Sequence, residues 1–220
     1  MEAELFIRML QGAIAKVRQQ NSRLSALDSA AGDGDHGTTM LRAMGVLEKV
    51  IAENQTKTPR ELLSQMGWGL LNVDGGASGP LLGSLFLGMS EAVGVAQEID
   101  ANAFAGIFEA GLSSLRMHTK ARVGDKTLID ALEPAVAELR AAAAQGFSIP
   151  ECLEKAAQAA QKGAASTCNL VAKFGRAKYL RERTIGTQDP GATSIALIFE
   201  GFCDGLRNDR LRNKESISHG

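Results

Sequence analysis

The sequence predicts an all-α protein, and three observations carry that expectation. Apolar residues recur at helical spacing along nearly the whole chain, sustained β alternation is absent, and aromatic residues make up only 5% of the 220 residues. The periodic stretches number about eight and are joined by short loops, the pattern of helices packed on helices.

Taken in order, the first stretch covers 4–22, with Leu5, Phe6, Met9, Leu10, Ile14 and Val17 on one face. The second, 37–55, carries Met40, Leu41, Met44, Leu47, Val50 and Ile51. The third, 58–74, opens on Thr58-Pro59 with Glu61 three residues past the threonine, the pattern of a capped helix start. Stretches 78–95, 100–118 and 127–145 follow. The seventh, 150–174, is introduced by Ser148, Pro150 and Glu151, a second capped start. The last covers 191–207. The sequence turns polar after Leu206. One domain over 1–208 is expected, with 209–220 as a fraying tail.

Composition narrows the function classes. Twenty-four basic and 25 acidic residues leave a net charge of −1, so neither a nucleic-acid footprint nor a polybasic membrane patch is indicated. No apolar run is long enough to span a bilayer, and the start Met-Glu-Ala-Glu-Leu-Phe lacks a basic leader region. Cys152, Cys168 and Cys203 are odd in number, far apart and outside any CxxC. That pattern fits a reducing, cytoplasmic setting and three small buried apolar residues better than disulfides or a zinc site.

The densest chemistry lies between Asp28 and Gly37. Asp28, Asp33 and Asp35 share a Gly-rich stretch whose nearest cations along the chain are Arg23 and Arg42. Three carboxylates packed together repel one another and raise each other's pKa values. A cation relieves that conflict, and oxygen ligands on flexible backbone suit a hard ion such as Mg2+. The second periodic stretch follows at once, so the cluster sits where helix N–H groups point at an anion. His36, directly after Asp35, shares that position.

Three further loops are unusual. Asp74 to Pro80 is rich in glycine and carries Ser78; by itself such a stretch is ordinarily only a turn. Thr119 to Thr127 reads equally as a loop ending in a helix cap at Asp125 or Thr127. Lys173 to Arg183 holds five cations and leads into the tight turn Asp189-Pro190-Gly191. Alone it is a solvated basic surface. An acidic metal loop and a concentrated basic loop in one chain are the two halves of a Mg-nucleotide clamp. There is no GxxxxGK[ST] and no GxGxxG after a strand, so any nucleotide is held by an all-helical route.

These four loops, in this order, resemble the L-subunit (DhaL) family of bacterial dihydroxyacetone kinases over Leu24 to Leu206. The signatures are Asp28 with Gly32 to Gly37, Gly75 to Pro80, Gly124 to Thr127, and Gly175-Arg176-Ala177 with Gln188 to Ala192. The resemblance implies a closed barrel of eight antiparallel helices with the nucleotide at one rim. It implies that Asp28, Asp33 and Asp35 hold two Mg2+ ions bridging the phosphates of ADP or ATP. His36, Gly37, Thr38 and Thr39 then match the phosphate-contacting helix start, and Ala77 and Ser78 a second phosphate contact. Thr119, where well-known members carry Gly, and Leu128 match the adenine and ribose pocket. Arg176, Asp189, Pro190 and Gly191 match the remaining nucleotide contacts. Arg176 and Asp33 are the expected catalytic residues.

The resemblance also implies half of an active site. The ketose, dihydroxyacetone or a tetrulose such as erythrulose, would be held on a separate K subunit. The donor would be exchangeable ATP, or ADP rephosphorylated in place by a phosphohistidine protein of the phosphotransferase system. A homodimer is the expected assembly, without nucleic acid or membrane partners. A nucleotide-loaded regulator of a transcription factor is the alternative within the family.

Overall fold

The computed structural model describes residues 3–53, 58–94 and 99–217. Nine α-helices are present among them: α1 Ala3–Gln19, α2 Asn21–Ser29, α3 His36–Glu53, α4 Pro59–Leu71, α5 Ser78–Ala92, α6 Ala101–Arg116, α7 Ile129–Ala144, α8 Ile149–Ser166 and α9 Pro190–Ile217. No strand occurs among the described residues, as the sequence predicts.

The start signals work as read. In α4, Glu61 N–H donates to Thr58 Oγ1 at 3.3 Å, while Thr58 N–H donates to the Glu61 carboxylate at 2.9 Å. In α8, Ser148 N–H donates to Glu151 at 2.9 Å. Each pair satisfies amides that a helix start otherwise leaves open.

Packing closes the helices into a ring. Each of α3 to α9 packs on the next, and α9 returns to α1, which in turn packs on α3. Eight helices therefore form a closed barrel, and short α2 packs against α3 and α9. The interior is filled from across the ring. Phe108 of α6, itself packed on Phe104, meets Phe199 and Phe202 of α9, with Phe108 and Phe199 ring centroids 5.7 Å apart. The α1–α9 seam is unusually close. A β-carbon on Gly12, Gly201 or Gly205 would run into the backbone of the facing helix.

Three boundaries differ notably from the sequence reading. The first stretch breaks after Gln19 and restarts as α2, which buries only Leu24 and so shows little apolar periodicity. The seventh ends at Ser166 instead of 174, and the chain passes through a 3-10 turn, Thr167–Asn169, into an irregular loop. Helical backbone in α9 continues to Ile217, past the point where the sequence turns polar; residues 218–220 lie outside the described residues.

In a ring of antiparallel neighbours, alternate connections lie at the same end. The α2–α3, α4–α5, α6–α7 and α8–α9 connections carry the four unusual loops, so all four meet at one rim. The same alternation brings the N-termini of α3, α5, α7 and α9 to that rim.

Candidate functional site

A cavity of about 360 Å³ opens at this rim and draws its walls from all four loops. That size is within the range of small-molecule sites. His36, Ser78, Ile129 and Pro190, the first residues of the four helices, all line it. Four positive helix ends around one space favour a polyanion.

The acidic loop forms one wall. One carboxylate oxygen from each of Asp28, Asp33 and Asp35 lies within 4.8 Å of the others, a set that could hold a metal ion. Two features keep the loop tight. Gly34 takes a positive φ of 78°, and a β-carbon on Gly32 would collide with the Asp28 carboxylate. Asp28 also accepts from the His36 backbone N–H at 3.2 Å, which ties the cluster to the start of α3.

The sequence offers these carboxylates no neighbouring cation, but the fold supplies one from far along the chain. Arg176 Nη1 pairs with Asp33 Oδ2 and lies 3.8 Å from Asp35 Oδ2. The basic and acidic loops therefore meet directly at the rim. Both partners remain about half exposed, so the contact adds little to stability and leaves the guanidinium free to turn toward an anion.

His36 is buried beneath this surface and joins three elements. Its Nε2 lies 2.8 Å from Ser194 Oγ, and Ser194 in turn donates to the Pro190 carbonyl at 3.0 Å. Its Nδ1 lies 3.5 Å from Ser78 Oγ. Network consistency assigns the proton to Nε2 and leaves Nδ1 to accept from Ser78. Burial holds the imidazole pKa below its ordinary value, against the opposing charge of Asp28. A neutral His36 links the first turns of α3, α5 and α9.

Thr39 stands one helical turn on. It is 2% exposed, lines the cavity, and its hydroxyl has no hydrogen-bond partner. An unpaired buried hydroxyl is costly. Gly75, at φ 121°, lies against Thr39 so closely that a β-carbon there would strike its Oγ1. A phosphate oxygen arriving at the start of α3 would give this hydroxyl its partner.

The third loop is organised by a residue that sequence reasoning passed over. Asp130, 1% exposed, accepts from the N–H groups of Gly124 and Thr127, each at 2.7 Å. Of the two expected caps, Thr127 Oγ1 accepts from Ile129 N–H at 3.2 Å, whereas Asp125 closes its own turn on Arg122 N–H. Lys126, 3% exposed and at φ 60°, extends from this loop to the carbonyls of Thr167 and Thr187. Asp189 caps α9 by accepting from Ala192 N–H at 2.7 Å. Burial pushes its carboxyl up to about 7, while those helix amides and the charge of Lys126 favour the ionised form.

The cavity thus gathers Asp28, Asp33, Asp35, His36, Thr39, Ala77, Ser78, Thr119, Leu128, Arg176, Asp189, Pro190 and Gly191. Two sequence-predicted residues do not line it. Gly37 packs under α2, where a β-carbon would meet Asn21 O and Ser25 Oγ, and Thr38 faces outward. Lys126, Thr167 and Ser194 were missed because their roles rest on long-range contacts, and Asp130 because the loop path that brings nearby amides to it is set by the fold; only the Gly124-Asp125-Lys126-Thr127 run hinted at the first. Cys152 and Cys203 are buried thiols whose pKa values burial raises, that of Cys203 to about 11. Cys168, by contrast, is partly exposed.

With this geometry in view, similarity to known proteins becomes informative. Residues 30–204 match the DAK2 domain. The chain belongs to the DAK2-domain family. It is 38% identical over 196 residues to the ADP-binding subunit DhaL of PEP-dependent dihydroxyacetone kinase 1 of Listeria innocua, covering 89% of this chain and 93% of that one. It is 36% identical over 181 residues to the corresponding ADP-binding subunit of Escherichia coli, covering 82% and 86%. Among solved structures it resembles the dihydroxyacetone kinase of C. freundii, with a TM-score of 0.72 and 28% identity over 93% of this chain. This DAK2-family chain spans only 35% of that longer protein. A second structure of the C. freundii kinase holds AMP-PNP and Mg2+. The resemblance carried by the four loops is therefore shown, and so is the all-helical barrel it implied.

Proposed function

We propose that this chain is the Mg-nucleotide subunit of a kinase whose acceptor is dihydroxyacetone or a related short-chain ketose. The observation that carries the reading is the convergence of three carboxylates, four helix N-termini, the unpartnered Thr39 hydroxyl and Arg176 on one cavity. ADP-binding and PEP-dependent relatives of similar length support it.

In this reading Asp28, Asp33 and Asp35 hold two Mg2+ ions, which when bound neutralise charge on the phosphoryl oxygens. The remaining work falls to the chain's own groups. The first-turn amides of α3, with Thr39, cradle one phosphate, and Ala77 and Ser78 at the start of α5 contact another. Neutral His36 fixes the direction of the Ser78 hydroxyl. Thr119 and Leu128 border the base and ribose, with the Asp189-Pro190-Gly191 turn closing the opposite wall. Arg176 stabilises negative charge developing on the transferred group.

A separate K subunit is the proposed holder of the acceptor, since the relatives are named as subunits of a larger kinase. The rim has the surface such a partner needs. Trp68, Met117, Val123, Tyr179 and Ile185 are the exposed large apolar side chains among the described residues. Each lies in a rim loop or in the helix end that leads into one. Of the two donor schemes, PEP-dependent names among the relatives favour resident ADP recharged by a phosphohistidine protein. The test is a transfer assay with a K subunit, dihydroxyacetone and either ATP or the PEP-driven donor system. Transfer with the second and not the first supports the resident-cofactor scheme; transfer with neither, by a folded and nucleotide-loaded chain, refutes the kinase reading.

A further inference from the structure

The segment between α8 and α9 carries Arg176 but contains no α-helix. It leaves the body at Thr167 and returns at Asp189. Its ends are joined where Gly186 N–H donates to Cys168 O at 2.7 Å and Asp189 N–H donates to Thr167 Oγ1 at 2.8 Å. Between those ends, the segment turns through a non-glycine residue at positive φ, Arg181. Within it, Phe174 packs on the core and Ala172 N–H donates to the buried Thr184 Oγ1 at 3.1 Å, so the position of Arg176 depends on these contacts together with what holds the neck.

Lys126 is at that neck. Its Nζ donates to Thr167 O at 2.6 Å and to Thr187 O at 2.5 Å, one carbonyl from each end of the segment. Its backbone lies at φ 60°, a left-handed conformation that is unfavourable for lysine and persists only where surroundings enforce it. Asp130 holds that backbone by accepting from Gly124 and Thr127 on either side. A second, outer tether runs from Lys173 N–H to Asp125 O and from Lys173 Nζ to Asp125 Oδ1, but there Lys173 is exposed. The inner tether is the buried one, and charge-assisted bonds shielded from water are the stronger kind.

Lys126 also lines the cavity, but its ammonium is turned to the two carbonyls; we infer that it is a positioning residue, latching both ends of the 167–189 segment and thereby setting Arg176 over the cavity, without itself bonding the nucleotide. The latch stands on the contacts above; its consequence for binding rests on the proposed Mg-nucleotide reading.

Limited trypsin digestion of the nucleotide-free full chain tests the latch by itself, because the segment is rich in cleavage sites: Lys173, Arg176, Lys178, Arg181 and Arg183. In Lys126→Met these cuts should accelerate at least about tenfold, with cuts in the helical body unchanged and Lys126→Arg restoring protection in part. Unchanged segment cleavage overturns the proposal. Affinity for ADP with MgCl2 is then compared in wild type, Lys126→Met, Arg176→Ala and the double variant. A loss of about tenfold or more from Lys126→Met that largely disappears in the Arg176→Ala background is expected. A loss of equal size in both backgrounds means that Lys126 contacts the ligand directly and overturns positioning. If no variant and no wild type binds ADP, the nucleotide reading fails while the digestion still decides the latch. Should Lys126→Met not fold, amine acetylation of the wild type decides instead. Lys126 should label at least about tenfold more slowly than Lys173, and equal labelling contradicts a buried, bonded ammonium.

Discussion

Thr39 is buried at the start of α3 with a hydroxyl that has no partner, and that makes its replacement informative in two directions. Thr39→Val removes an unsatisfied polar atom, so the nucleotide-free protein should keep its stability or gain up to about 1 kcal/mol. The same change should weaken Mg-ADP binding by about tenfold or more. Calorimetric melting and titration read the two effects separately, and a destabilised apo protein would show that the hydroxyl already has a partner. Asp33→Ala should abolish Mg-dependent nucleotide binding and phosphoryl transfer while circular dichroism stays helical. Survival of transfer with a K subunit present would show that Asp33 is not a metal ligand. At this scale the acidic trio was legible because three carboxylates crowd one short stretch. Lys126 and Ser194 were not, because an isolated lysine or serine acquires its meaning from residues tens to more than a hundred positions away; Asp130 escaped although Gly124 and Thr127 are near in sequence, because the path of the loop that brings their amides to it is set by the fold. The pairing of Arg176 with Asp33 was hidden for the same reason.

Helices were the most readable level. Thr58 with Glu61 and Ser148 with Glu151 announce their starts through local chemistry that needs no tertiary context. α2 escaped because a helix that buries only Leu24 leaves no apolar period to see. The glycine seam between α1 and α9 escaped for another reason. Gly12, Gly201 and Gly205 sit within otherwise helical patterns, and only the fold reveals the facing backbone. Gly201→Ala places a methyl against the backbone of Ala13. It should destabilise the protein by about 1–3 kcal/mol, with the denaturant dependence of unfolding unchanged. Gly45→Ala is the control, since nothing lies near a β-carbon there; replacement within α3 should be neutral or mildly stabilising. Equal effects at the two positions would contradict a backbone-to-backbone approach of α1 and α9.

For the molecule as a whole, ring closure is what turns separate loops into a site. Eight helices in a circuit of antiparallel neighbours bring alternate connections to one end, and every chemically unusual loop occupies one of those connections. The expectation of one rim therefore came from the resemblance, while its physical basis lies in the alternation. With four helix N-termini and three carboxylates around the same space, a metal–phosphate pair should fit the proposed site better than a bare anion or a bare cation. The central claim is that this wall binds a nucleotide through a divalent metal. The most direct test is to purify the chain, treat one portion with EDTA, extract both portions with acid and identify any nucleotide released, then add Mg-ADP back to the treated portion. The account predicts ADP or ATP in near-equal ratio to protein in the untreated portion, its loss on chelation, and recovery only when Mg2+ accompanies the nucleotide. An empty protein that also fails to bind ADP or ATP in the presence of Mg2+ would contradict it.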